Sequence, residues 1–218
     1  MKFTTMIAMV DPGYYAPLAG AAEAAGYDSI GLADSICYPQ HSNSSYPYTA
    51  DGSREFLENK PFIEPLIAAA VMGAATERIR FYTAVLKLPV RQPVVFAKSL
   101  ASLEAVIGGR FDLGVGTSPW PDDYAVCGVP WKGRGRRFEE CIAIVRGLCA
   151  GGYFEFHGEA YDFDPIKLLP AAAEPLQVLI GGHSDASLDR AARLGDGWIP
   201  AGLGADELGE MVNRLFEL

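Results

Sequence analysis

Gly108-Gly109-Arg110-Phe111-Asp112-Leu113-Gly114-Val115-Gly116-Thr117-Ser118 ends a helix, forms a strand and leaves that strand almost as bare backbone. Phe111, Leu113 and Val115 alternate as strand residues do, and Gly114 and Gly116 leave room for a bound group. The competing reading of these two glycines is close packing of a helix on the sheet with no ligand. Upstream, residues 94–107 carry apolar side chains at near-3.6 spacing, with Gly108 placed to cap the helix they form. Residues 79–86 read as another strand, itself preceded by a helix. An order of helix, strand, helix, strand argues for a parallel sheet covered by helices, in which ligands are met at the carboxyl ends of the strands.

The same pattern extends in both directions. The first ten residues form an apolar strand that is too short for a signal core or a membrane span and is stopped by Asp11-Pro12-Gly13. An alanine-rich helix over 15–25 follows, then a strand that ends at Asp34-Ser35. Asp34 there either faces a site or makes a cap or loop hydrogen bond. From 36 to 61 the periodicity disappears, and this tyrosine- and proline-rich excursion, which contains His41, reads as a lid. Helices are expected over 62–76 and 135–149, and residues 152–175 read as a hairpin with a proline-bounded linker. The apolar run 176–182 then delivers Gly181-Gly182 to a helix capped by Ser184 or Asp185. Free backbone N–H groups beside a helix N-terminus make a phosphate site, although an ordinary strand-to-helix turn reads the same way. A short strand at 197–201 and a helix over 206–218 close the pattern.

Composition narrows the functions. The 218 residues are half hydrophobic, with no polar tract dividing them, so one domain over 1–218 is expected. A net charge of −9 argues against nucleic-acid and anionic-membrane partners, and the basic cluster Lys132, Arg134, Arg136 and Arg137 is short. Cysteines 37, 127, 141 and 149 form no C-x-x-C pair and read as reduced thiols in a cytoplasmic protein. No metal-ligand spacing and no acyl-enzyme nucleophile motif is present.

Six segments in register resemble the bacterial luciferase-like family, in its flavin- and deazaflavin-dependent oxidoreductase branch: residues 74–80, 101–103, 109–116, 134–140, 181–184 and 193–198. The resemblance implies a TIM-type (β/α)₈ barrel with the cofactor ring across the carboxyl ends of the strands. It implies that Ala84-Val85 is a bulged third strand, often with a non-prolyl cis peptide, supporting the ring. Asp34 and Ser35 would border the cofactor, Gly116-Thr117-Ser118 would line the ring's other edge, and Gly181, Gly182 and His183 would hold its phosphate. Two features depart from the family. Ser35 and Pro119 stand where sugar-phosphate dehydrogenases of the branch carry an acid–base histidine and glutamate, which leaves His41 and His183 as the available imidazoles. Only about six strand–helix units are found where a barrel needs eight, so the expectation is truncation, cover by a second subunit, or an incomplete barrel. The implied activity is hydride transfer between coenzyme F-420 and a small organic substrate. The alternatives are an FMN-dependent monooxygenase that reduces molecular oxygen, and a non-catalytic or truncated flavin-binding protein. Family members commonly form homodimers.

Overall fold

The computed structural model describes residues 1–42, 44–46, 49 and 51–218. Its strands and helices alternate as β1 (Thr4–Ile7), α1 (Tyr15–Ala24), β2 (Ser29–Leu32), α2 (Pro65–Ala74), β3 (Arg80–Thr83), β4 (Leu86–Lys87), α3 (Pro93–Ile107) and β5 (Phe111–Gly116). The chain continues through α4 (Pro121–Val126), α5 (Arg134–Cys149), β6 (Phe154–His157), β7 (Asp162–Ile166), β8 (Val178–Gly181), α6 (Asp185–Leu194), β9 (Gly197–Ile199) and α7 (Ala205–Glu217). Local chemistry sets several of these bounds. Glu64 accepts from the N–H groups of Leu66 and Ile67 with Pro65 opening α2, Gln92 caps Val95 with Pro93 opening α3, and Gly108 ends α3 at φ +69°.

The main sheet runs β1-β2-β3-β5-β8-β9 with every pairing parallel, and β4 continues β3 alongside β5. It is a curled half-barrel of six strand positions, as expected, with β1 and β9 at its edges among the described residues. Ile30, Phe81, Phe111 and Leu113 of the sheet bury against Met72, Leu100, Ile107, Phe138 and Ile144 of the helices. At the amino ends of the strands, Glu23 takes the N–H groups of Glu77, Arg78 and Ile79, and these bonds hold its carboxyl down at about 2, the bond from Ile79 first. Arg110 likewise ties Gly73, Thr76, Ile79 and Ile107 together, so this face serves stability.

The hairpin β6–β7 lies outside the sheet against α5, at Gly147, where a side chain would collide with the Phe154 ring. Buried Glu140 receives the N–H groups of its turn, from Glu159, Ala160 and Tyr161. Helix α4 is an element that the sequence reading passed over, although Pro121 at its start and Asp122-Asp123 in its first turn are helix-opening residues. Of the irregular segment 36–61, Asn43, Pro47, Tyr48 and Ala50 lie outside the described residues. Its other residues hold a single 3-10 turn, Glu55–Leu57. Among the described residues no helix is long and apolar enough to cross a membrane.

The glycines of β5 require a correction. A Cβ on Gly114 would fall on the Thr83 carbonyl oxygen, and one on Gly116 would lie 2.9 Å from Val85 Cγ2. The space on the side-chain face of both positions is therefore taken by the neighbouring strand and is not open to a bound group. Thr83 Oγ1 also donates to Gly114 O at 2.6 Å, sealing the approach.

Candidate cofactor site at the carboxyl ends of the strands

Val85, in the link from β3 to β4, stands against the ends of β5 and β8. The Ala84–Val85 peptide is cis, at the position where the resemblance implied one. A Cβ on Gly181 of β8 would lie 2.7 Å from Val85 Cγ1, so Val85 sits between two strand ends, each of which has given up its side chain. What Gly116 and Gly181 can offer a ligand is backbone. Gly182 follows at φ +121°, a conformation that L side chains rarely adopt, and a Cβ there would lie 2.6 Å from Ser187 Oγ. Its carbonyl accepts from Trp198 Nε1 at 2.9 Å, and Ser184 Oγ accepts from Ser187 N as the cap of α6. The first N–H groups of α6 thus face the same end of the sheet as Val85, with no side chain on Gly181 or Gly182 to cover them.

The residues expected around this centre have different roles. Asp34 is committed to structure: its side chain is 1% exposed, both oxygens take the Arg91 guanidinium at 2.9 Å, and Oδ2 also accepts from Lys87 N. This fork fastens the end of β2 to the approach of α3. Ser35 is half-buried beside it. Ser118 is buried at φ +63°, donates to Asp123 Oδ2 at 2.7 Å and accepts from Trp120 N, so its hydroxyl organises the turn into α4. The Thr117 carbonyl receives the Tyr124 hydroxyl, whose ionisation burial drives far upward. His183 Nε2 accepts from Ala201 N at 3.0 Å, which places its lone pair on the protein, and its ring meets Trp198 edge-on. His41 is exposed in the irregular segment, without a hydrogen bond or ion pair among the described residues. The two imidazoles are thus held on different elements.

A second group of residues stands at these strand ends that the sequence reading did not name. Lys87 Nζ lies 3.0 Å from Asp123 Oδ2, and Asp123 is 1% exposed. The Trp120 ring lies beneath the Arg54 guanidinium at 4.0 Å and also faces Lys87 Nζ at 5.4 Å. Arg54 pairs with Asp122 at 3.1 Å and Ser42 donates to the same carboxylate, so the irregular segment is fastened onto α4. Nearby, burial pushes the thiols of Cys37 and Cys127 up from their usual value. The sequence signals for this group were present: a lone lysine in the apolar run 84–90, and Asp-Asp two residues beyond the glycine strand's turn. Among the described residues no group of His, Cys, Asp or Glu is arranged to hold a metal ion.

Comparison with known proteins agrees with this geometry. The luciferase-like monooxygenase profile matches residues 3–218. An uncharacterised protein of Mycobacterium tuberculosis is 55% identical over 218 residues, covering 100% of this chain and 75% of that protein. An F-420-dependent glucose-6-phosphate dehydrogenase of Nakamurella multipartita is 31% identical over 192 residues, 86% of this chain and 52% of that enzyme. The FMN-bound oxygenating constituent of 3,6-diketocamphane monooxygenase from Pseudomonas putida superposes with a TM-score of 0.74 at 19% identity, covering 100% of this chain and 62% of its own. The chain thus spans from about half to three quarters of the length of these relatives. Its half-barrel and a profile match over almost every residue lead to one conclusion: the chain belongs to the luciferase-like monooxygenase family of oxidoreductases.

Proposed function

We propose that this protein transfers a hydride between the deazaflavin coenzyme F-420 and a small organic substrate. The observation that carries the reading is the convergence of Val85, Gly116, Gly181 and Gly182 on one end of the sheet, beside the N-terminus of α6. A phosphate-bearing planar cofactor fits these residues: Val85 with the backbone of Gly116 and Thr117 would seat the ring, and Gly182, His183 and the first turn of α6 would hold the phosphate. When bound, the cofactor supplies the redox chemistry, and the protein supplies orientation and exclusion of water. The F-420-dependent relative supports the deazaflavin over FMN. Replacing Gly182 with valine fills the cradle and should weaken deazaflavin binding more than about tenfold in a fluorescence titration. Unchanged affinity in a folded Gly182→Val variant would remove the phosphate assignment.

The second reading, an FMN-dependent monooxygenase, draws on the family profile and on the FMN-bound structural relative. Oxygen uptake separates the two, because a reduced deazaflavin reacts poorly with oxygen. In either reading the working form is a homodimer. An apolar groove of about 720 Å³ lies between α2 and α3, where Val95 and Val106 are 65% and 68% exposed above Phe96 and Leu103. These helices cover the middle of the sheet, away from the β1 and β9 edges, so a strand added at either edge would not cover the groove. A second copy of the chain is the occupant we assign to it, by the two-fold pairing that such a self-facing apolar strip allows.

A further inference from the structure

Two cations at the carboxyl ends of the strands keep hydrogen-bonding capacity that the described residues do not use, Arg54 and Lys87, and of the two only a lysine can release a proton. Lys87, the last residue of β4, stands two positions after Val85 and pairs in register with Gly116. Its side chain is 12% exposed, so it is held in place yet reachable. An ammonium has three N–H donors. Among the described residues its ion-pair partner is Asp123, with Oδ2 at 3.0 Å, and the face of Trp120 lies beside it. Asp123 is well suited to fix this amine, being sealed from solvent with Oδ2 also held by Ser118. Asp123 Oδ1 is buried with no partner at all, so the pair has not saturated its own hydrogen bonds.

Among the other polar groups at this end of the sheet, Arg54 Nη1 is buried without a hydrogen-bond partner among the described residues, but a guanidinium does not release its proton, and the rest are engaged. Asp34 is forked onto Arg91, Ser118 donates to Asp123, and His183 Nε2 is an acceptor for Ala201 N. Ser35 has only a hydroxyl to offer and Pro119 has no donor. Lys87 remains as the group that can give up a proton beside Gly116.

We propose that Lys87 is the proton donor of the hydride-transfer reaction, and that the substrate it fits is a small carbonyl compound. This rests on the deazaflavin reading above. In the reducing direction the bound reduced deazaflavin would supply the hydride, with its electron pair, to the carbonyl carbon, and the carbon–oxygen π pair would move onto oxygen. The oxygen takes a proton from Lys87 Nζ, giving an alcohol and the oxidised cofactor. Lys87 is left as a neutral amine beside Asp123 and recovers its proton from solvent. Asp123 acts as a positioning residue, since it touches Lys87 and not the reacting atoms.

The test compares wild type with Lys87→Arg, Lys87→Ala and the neutral double variant Lys87→Met/Asp123→Asn. The double variant covers the case in which Asp123, left unpaired, prevents folding. Deazaflavin affinity is read by fluorescence, and oxidation of the reduced cofactor is followed by absorbance with acetaldehyde, cyclohexanone and dihydroxyacetone as probes. The expected result is unchanged cofactor affinity in all variants. Turnover falls by about 10²–10⁴-fold, the usual weight of a general acid. Lys87→Arg is not spared, because a guanidinium keeps the ion pair but does not release its proton. Added methylammonium restores part of the Lys87→Ala rate. Wild-type turnover in Lys87→Arg or in the double variant, or loss of cofactor affinity without rescue by the amine, overturns the role of Lys87. A wild-type protein that binds deazaflavin but reduces none of the probes overturns the carbonyl assignment, and one that binds no deazaflavin overturns the hydride-transfer reading itself.

Discussion

Burial raises the carboxyl of Glu104 to about 7, because the residue is 5% exposed and Oε1 has no hydrogen-bond partner, while Arg80 and the Phe111 backbone pull the other way. Its ordinary value is 4.5, so between the two values the folded state holds a proton that the unfolded state has lost. The stabilising contribution is therefore fully present below about 4.5 and disappears as pH rises through about 7. Glu104→Gln has no charge to bury, and its melting temperature at pH 8.5 should exceed wild type by about 2–4 °C, the shift that ~1 kcal/mol produces in a chain of this size. The gap should close as pH falls toward 4.5, and calorimetry across this range checks it. A constant gap at all pH values would show that packing, not ionisation, sets the difference. At this scale the sequence gives positions more readily than partners. Asp34 was legible as a carboxylate at a strand end, but its commitment to Arg91, 57 residues away, is set by the fold.

The helices were legible because their signals are local. Pro65, Pro93 and Gly108 punctuate α2 and α3 within a residue or two of where they act. The half-barrel strands were legible through their apolar runs. The reason for the glycines of β5 was not, because it depends on which strand lies beside them. Gly114 is required by the Thr83 carbonyl, so Gly114→Ala should force β3 and β5 apart and cost about 1–3 kcal/mol or more. Urea unfolding would measure it, and a variant as stable as wild type would show that the two strands can separate freely. Lys87 and Asp123 each left a signal in the sequence, but their pairing did not, because β4 and α4 meet only where β4 runs beside β5.

Among the described residues, six strand positions in an open sheet with helices on its outer side form the molecule. The groove between α2 and α3 is the proposed dimer interface, and the double variant Val95→Asp/Val106→Asp places charges at its most exposed apolar positions. Light scattering should find wild type at twice the chain mass and this variant at the monomer mass, and a dimeric variant would move the interface elsewhere. The proposed cofactor seat draws on the whole fold, since Val85, Gly116, Gly181 and Gly182 come from three separate stretches of chain. The measurement that tests it most directly is a fluorescence titration of the purified chain with coenzyme F-420 and, in parallel, with FMN. The account predicts saturable F-420 binding, weakened more than about tenfold, or ~1.4 kcal/mol, in Gly182→Val. Preference for FMN, or binding of neither, would contradict it.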